Sequence, residues 1–197
     1  MARPLTAMNK MSVFALVGAF GLGGAVGALA LLSNSAGDGG SALSPFRPVW
    51  TEVRWPFPTD QWGRGKAFLC KPADCGAEVS IYLRAKLGAC NCTTGVADDA
   101  ELDRMSDFDL VGGEVSPLGA GQPITIGSMK GRSRAYTLTD RNPAVKTALS
   151  VAFNDRCDMI VATVMLPHDR PATIEPSVIE FLNSRTILRW AEVTLGL

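Results

Sequence analysis

Residues 12–32 form a run of 21 residues without a charge, SVFALVGAFGLGGAVGALALL. As an α-helix rising ~1.5 Å per residue, this run would be about 31 Å long, which matches a hydrocarbon core of about 30 Å. Arg3 and Lys10 are the charged residues before it, and the first charged residue after it is Asp38. Because basic residues favour the cytoplasmic side, the run predicts a single transmembrane anchor with residues 1–11 in the cytoplasm.

The same run also fits a cleaved secretory signal, with Ala28-Leu29-Ala30 as the recognition site. Leu31 and Leu32 continue the apolar run past that site, which favours an uncleaved anchor. Both interpretations export residues 33–197. The predicted location is therefore the periplasmic side of a bacterial inner membrane, or the periplasm itself after cleavage near Ala30.

Small side chains recur at every fourth residue of the run, at Ala15, Ala19, Gly23 and Gly27. In a helix these positions share one face, and the G-x-x-x-G spacing lets transmembrane helices pack closely. The stripe predicts association with a second helix in the membrane. The alternative is that small residues are simply common in membrane anchors.

Residues 33–48 are small, polar or helix-breaking and show no periodicity, so we expect a flexible tether. Residues 49–197 have the size of one domain. The exported part has 17 basic residues, which is the total of 19 minus Arg3 and Lys10, against 19 acidic residues. This near-neutral balance argues against nucleic acid as a partner.

Strand patterns dominate residues 49–166. Alternation of apolar and polar residues predicts strands at 49–55 and 77–84, with Arg84 on the outward, polar face of the second. The sequence Asn154-Asp155-Arg156 predicts the turn of a hairpin at the centre of the sheet. Further strands are expected at 67–72, 107–112, 123–129, 131–138, 147–154 and 157–166.

Two helices are expected. Asp98 and Asp99 predict the start of a short helix over 97–106. Glu175-Pro176 predicts the start of a C-terminal helix. Asn183-Ser184 interrupts this pattern, so residues 186–195 alternatively form a final strand.

An antiparallel sheet followed by a helix that covers one face is typical of an α+β fold. In its order of elements, the chain resembles PsbP-like αβα sandwich domains over residues 49–190. The resemblance rests on element order without a shared motif, and it implies no site residue and no activity.

Cys70, Cys75, Cys90 and Cys92 lie within 23 residues. In an oxidising compartment this grouping predicts disulfides, either Cys70 with Cys75, or Cys70 with Cys92 and Cys75 with Cys90. Cys157 is left over and is expected to be a buried, unreactive thiol. The alternative is a zinc or copper(I) site, or a thiol-redox site, although the spacing lacks the usual C-x-x-C pairs.

Lys130, Arg132 and Arg134 alternate along a predicted strand, which places them on one face of the sheet. Such a row could bind anionic lipid or an acidic partner surface, and the alternative is a solvated face. Acidic residues cluster separately, between Asp98 and Asp109.

His168 precedes Asp169, but the sequence contains no nucleophile elbow, P-loop or zinc-protease motif to complete a catalytic site. The sequence therefore predicts a membrane-tethered periplasmic domain that binds a partner or supports assembly of an inner-membrane complex. We expect neither catalysis, cofactor nor metal. The alternative function is a metal-binding or thiol-redox protein that uses the cysteine cluster.

Overall fold

Eight strands in the described part of the chain form an antiparallel sheet. The structure, a computed structural model, describes residues 47–139, 146–167 and 171–197, which belong to the compact unit Leu43–Leu197. The strands in this part are β1 (Trp50–Val53), β2 (Lys66–Cys70), β3 (Val79–Lys86), β4 (Glu114–Pro117), β5 (Gln122–Ile126), β6 (Met129–Thr139), β7 (Lys146–Asp155) and β8 (Asp158–Leu166). The helices are α1 (Pro72–Cys75), α2 (Asp99–Met105), α3 (Pro171–Leu182) and α4 (Arg185–Leu195), with a 3-10 turn at Phe108–Leu110.

The sheet has the strand order β1-β2-β3-β8-β7-β6-β4, and β5 also pairs with β6. β5 lies opposite residues 129–133 of β6, and β4 lies opposite residues 136–139, so both share its outer edge. The β7–β8 hairpin occupies the centre, as predicted. Its tight turn is Arg156-Cys157, because Asp155 already pairs with Asp158.

Helices cover both faces of the sheet. On one face, α3 and α4 bury Val178, Leu182 and Ile187 against alternate residues of β3, β7 and β8. On the other face, α2 buries Leu102 and Met105 against the residues of opposite parity. The period-two alternation of the strands thus supplies two separate apolar surfaces.

Several predicted elements are wrong. Residues 107–112 form no strand. They contain the 3-10 turn, and Asp107, which precedes it, is buried because it pairs with Arg84 and Lys86 of β3. Strand β4 was not predicted. For residues 186–195 the predicted helix is confirmed and the alternative strand is wrong, because Ile187, Ala191 and Leu195 recur every four residues of α4 and are buried together. The break near Asn183-Ser184 separates two helices, and Pro176 lies inside α3.

The predicted membrane segment 12–32 lies outside the described residues, with Ala15, Ala19, Gly23 and Gly27. His168 also lies outside them, as does most of the predicted tether. Among the helices that the structure does describe, none is both long enough and apolar enough to cross a bilayer.

Candidate functional site

Two cations of β3 are buried on the α2 face of the sheet. Arg84 and Lys86 are two residues apart, so both side chains point to the same face, and they are 4% and 6% exposed. A buried charge is costly unless it is paired and hydrogen-bonded. Neighbouring groups therefore have to supply negative charge to these two residues.

Asp107 supplies most of it. Its two carboxylate oxygens accept hydrogen bonds from Nε and Nη2 of Arg84 at 2.9 and 2.5 Å. Nζ of Lys86 lies 2.7 Å from Oδ1 of Asp107 and donates to the carbonyl oxygen of Met105, also at 2.7 Å. Asp107 is itself only 4% exposed, so one carboxylate neutralises two cations in a region shielded from water.

Asp60 completes the neutralisation from the rim. The buried trio of Arg84, Lys86 and Asp107 has two positive charges and one negative charge, and Nη1 of Arg84 donates to Oδ2 of Asp60. The Asp60 side chain is 41% exposed. Burial opposes ionisation of Arg84, but hydrogen bonds and charge from Asp107 and Asp60 outweigh it, so the pKa of Arg84 is raised. For Asp60, the Trp62 backbone N–H and Arg84 outweigh desolvation and lower the pKa.

These residues line a cleft of ≈ 600 Å³ between the loop that precedes β2 and the segment that follows α2. Trp62 forms one wall, with its ring 5.5 Å from Nζ of Lys86. Asp109 also lines the cleft and is exposed. The cleft thus combines an aromatic wall, a buried guanidinium held by hydrogen bonds and a half-exposed carboxylate, which is a set of groups suited to recognition.

Two residues of the predicted basic row, Arg132 and Arg134, contact carboxylates of α2. Arg132 donates through Nε to Asp99 at 2.5 Å, and Arg134 donates through Nη1 to Asp103 at 2.8 Å. Tyr136, on the same face, donates to Asp103 at 2.5 Å. The acidic and basic clusters of the sequence therefore contact each other, which sequence spacing alone did not reveal.

These contacts shift two titrations in opposite directions. The hydrogen bond from Arg132, followed by the N–H of Gly121, lowers the pKa of Asp99. Burial, followed by the hydrogen bond to Asp103, raises the pKa of Tyr136. Lys130 is exposed and joins none of the ion pairs among the described residues. Partner binding by the row Lys130, Arg132 and Arg134 stays a prediction.

Of the predicted pairings, the structure contains Cys70–Cys75 but neither Cys70–Cys92 nor Cys75–Cys90. Disulfides join Cys70 to Cys75 and Cys92 to Cys157, and Cys90 is a free, buried thiol whose pKa is raised by burial. The predictions that Cys90 forms a disulfide and that Cys157 is the leftover thiol are both wrong. Pairing depends on the loop after β3 meeting the β7–β8 turn, where the N–H of Cys90 donates to the carbonyl oxygen of Cys157 at 3.2 Å.

The disulfides also bear on the alternative metal site. With four of the five cysteines bonded in pairs, the four thiolates that such a site needs are not free. The residues that the structure describes contain no group of three or more His, Cys, Asp or Glu side chains that could hold a metal ion.

The site built on Arg84, Lys86 and Asp107 was missed by sequence reasoning. Alternation correctly separated Arg84 from Leu83, but it could not show that a later segment covers the polar face. The available signal was the pair of cations two residues apart, Arg84 and Lys86, followed by a run of surplus carboxylates.

Comparisons with known proteins leave the family open. No known protein family and no curated protein matches the chain. One solved structure similar to it is that of PA94 from Pseudomonas aeruginosa, a protein of unknown function. The two are 14% identical, the match covers 68% of this chain and 94% of that chain, and the TM-score is 0.42. A likeness of this degree assigns neither a family nor an activity.

Proposed function

We propose that this chain is a membrane-tethered periplasmic domain that binds a partner and supports assembly or stability of an inner-membrane complex, without catalysis. The apolar run 12–32 and its flanking charges support the tether. The two disulfides support an oxidising compartment. The layering of helices on both faces of the sheet supports the PsbP-like αβα arrangement.

The observation that carries partner binding is the charge balance of the cleft. The buried trio has one excess positive charge, and it is offset by Asp60, which is on a half-exposed loop. A carboxylate of a partner could take the place of Asp60 at Nη1 of Arg84 without moving the buried trio. Trp62 would then pack against the same segment. The proposed ligand of the cleft is therefore an acidic segment of a partner protein.

Cross-linking in intact membranes tests this proposal. A photo-cross-linking residue replaces Gln61, which is exposed and lines the cleft. A matched control places it at Glu180, exposed on α3 across the sheet. We expect an adduct from position 61 and none from position 180. Recovery of the protein alone from position 61, at every expression level, would contradict the proposal.

A substitution on the rim separates recognition from structure. Asp60→Asn keeps the Oδ1 atom that accepts the Trp62 N–H at 2.8 Å. It removes the negative charge that is paired with Nη1 of Arg84. Because a neutral amide competes less well for the guanidinium, the yield of the adduct should rise. Glu180→Gln, which removes an exposed carboxylate on α3 across the sheet, should leave the yield unchanged. An equal yield for Asp60→Asn and the unsubstituted chain would mean that Asp60 is not displaced by the partner.

A further inference from the structure

The outer side of α4 presents two arginines whose arrangement is unfavourable for the helix itself. Arg185 and Arg189 are both exposed and lie one turn apart, where like charges repel. Arg185 is also in the first turn, where the helix dipole disfavours a cation, and that turn contains no acidic residue. Within the described part of the chain, neither arginine forms an ion pair.

These arginines border a concave surface of ≈ 530 Å³ that also includes Lys66 of β2, Trp190 and Val193. We call these five residues the α4 basic surface. Val193 is 72% exposed, and Trp190 is half-buried. Nζ of Lys66 lies 2.6 Å from Oε1 of Glu52, so one cation is partly neutralised and two are not. Cations around a tryptophan and an exposed aliphatic side chain are typical of proteins that contact the lipid–water interface.

The position of this surface in the chain selects lipid as the anion. Lys66 pairs with Glu52 of β1, the first strand after the predicted tether. Residues 33–49 separate β1 from the predicted membrane segment, and fully extended they span at most about 60 Å. Anionic headgroups of that membrane are therefore present at high local concentration, whatever other partner the domain has.

We propose that the α4 basic surface binds anionic phospholipid headgroups of the membrane that holds the chain. Arg185 and Arg189 contact the headgroup phosphates, with Lys66 at the edge. Val193 and Trp190 lie at headgroup level. This inference rests on the membrane tether of the proposed function. It concerns a surface separate from the cleft, on the side of the sheet covered by α3 and α4.

The test uses the full chain reconstituted in vesicles of phosphatidylcholine, with or without about 30 mol% phosphatidylglycerol. A Val193→Cys variant carries a fluorophore, and a quencher is attached to lipid headgroups. We expect stronger quenching in the anionic vesicles and its loss between about 50 and about 500 mM salt. Arg185→Gln and Arg189→Gln should each lower the docking equilibrium constant about 5-fold. Lys71→Gln with Lys146→Gln, which removes two exposed cations elsewhere, should leave it unchanged.

Equal quenching in both kinds of vesicle, or a docking constant that the arginine variants do not change, would overturn the inference. If the label at position 193 is shielded from a water-soluble quencher in native membranes but not in anionic vesicles, a protein covers the surface. That result would also overturn the inference. Failure of the tether has a different signature, because the chain would then not sediment with vesicles of phosphatidylcholine alone. In that case, sedimentation with anionic vesicles still reports on the surface. Circular dichroism of each variant checks that it is folded.

Discussion

Asp107 is the single residue on which the charged cleft depends most. Its carboxylate neutralises Arg84 and Lys86, and all three side chains are buried. Asp107→Asn keeps the size of the side chain but leaves Lys86 without its ion-pair partner and Arg84 with Asp60 alone, so we expect the free energy of unfolding to fall by about 3–5 kcal/mol. Urea unfolding measures this. Asp109→Asn, which removes an exposed carboxylate two residues away, is the control and should change stability by less than about 0.5 kcal/mol.

Asp99 predicts how stability depends on pH. Its pKa is lowered from the ordinary value of 3.8, first by Arg132 and then by the N–H of Gly121. A carboxyl with a lowered pKa in the folded state stabilises the fold above the ordinary value, and this stabilisation is lost as the pH falls through the lowered pKa. Asp99→Asn should therefore reduce the slope of Tm against pH below about pH 4.

Asp60 also has a lowered pKa, so the Asp99→Asn variant should retain part of the acid slope. The control is Asp98→Asn, one residue earlier. Asn keeps the Oδ1 atom with which Asp98 accepts the N–H of Glu101 at 2.8 Å, so the α2 cap survives. An acid slope identical in Asp99→Asn and the unsubstituted chain would show that the ion pair with Arg132 does not contribute.

Among the elements, α2 and β6 are joined by charge as well as by apolar packing. Arg134 contacts Asp103, and Lys130, on the same face of β6, has no such partner among the described residues. Arg134→Gln should therefore speed amide hydrogen exchange in α2, whereas Lys130→Gln should not. Hydrogen exchange followed by mass spectrometry distinguishes the two. Faster exchange of α2 in both variants, or in neither, would contradict a specific role of the pair.

This result also decides how partner binding by the basic row should be tested. Replacing Lys130, Arg132 and Arg134 together would disturb α2, because two of them contact its carboxylates. Lys130→Gln alone removes a charge of the row without breaking an ion pair among the described residues. A loss of partner binding in that variant would support the predicted role, and it would not be explained by a loosened helix.

The two disulfides connect elements at very different separations along the chain. Cys92 and Cys157 are 65 residues apart, whereas Cys70 and Cys75 are 5 apart. Because a longer loop restricts the unfolded chain more, loss of the first should cost about 4 kcal/mol and loss of the second about 2 kcal/mol. Paired Cys→Ser variants compared by urea unfolding test this order. Equal losses would show that chain restriction does not set the difference.

Local pattern accounts for most of the strands and fails where a long-range contact decides. The β7–β8 hairpin was predicted because dense apolar runs, rich in β-branched residues in β8, lie on either side of a short polar turn. Strand β4 has the sequence EVSP, too short and polar for a periodic signal, and it forms because β6 offers an open edge. For residues 186–195 the sequence predicted a helix with a strand as the alternative, and the helix forms because its buried face packs on the side of the sheet that α3 also covers.

At the scale of the whole molecule, the charged cleft could not be predicted, because its parts come from three separate segments. Asp60 lies before β2, Arg84 and Lys86 lie in β3, and Asp107 follows α2. Each alone has the pattern of a solvated charge. The same limit applies to Cys92 and Cys157, which meet only when the β7–β8 hairpin folds next to the loop after β3.

The proposed function requires that the domain stays attached to the membrane, and this gives the last prediction. If residues 12–32 form an anchor, the protein extracted from membranes should have the mass of the chain from its N-terminus, and carbonate washing should not release it. Attachment confines the domain to a layer next to the bilayer, which raises its effective concentration towards membrane-bound partners and headgroups. A mature chain that begins at Leu31 would refute the anchor. Partner binding through the cleft would then have to occur at the lower concentration of a protein free in the periplasm.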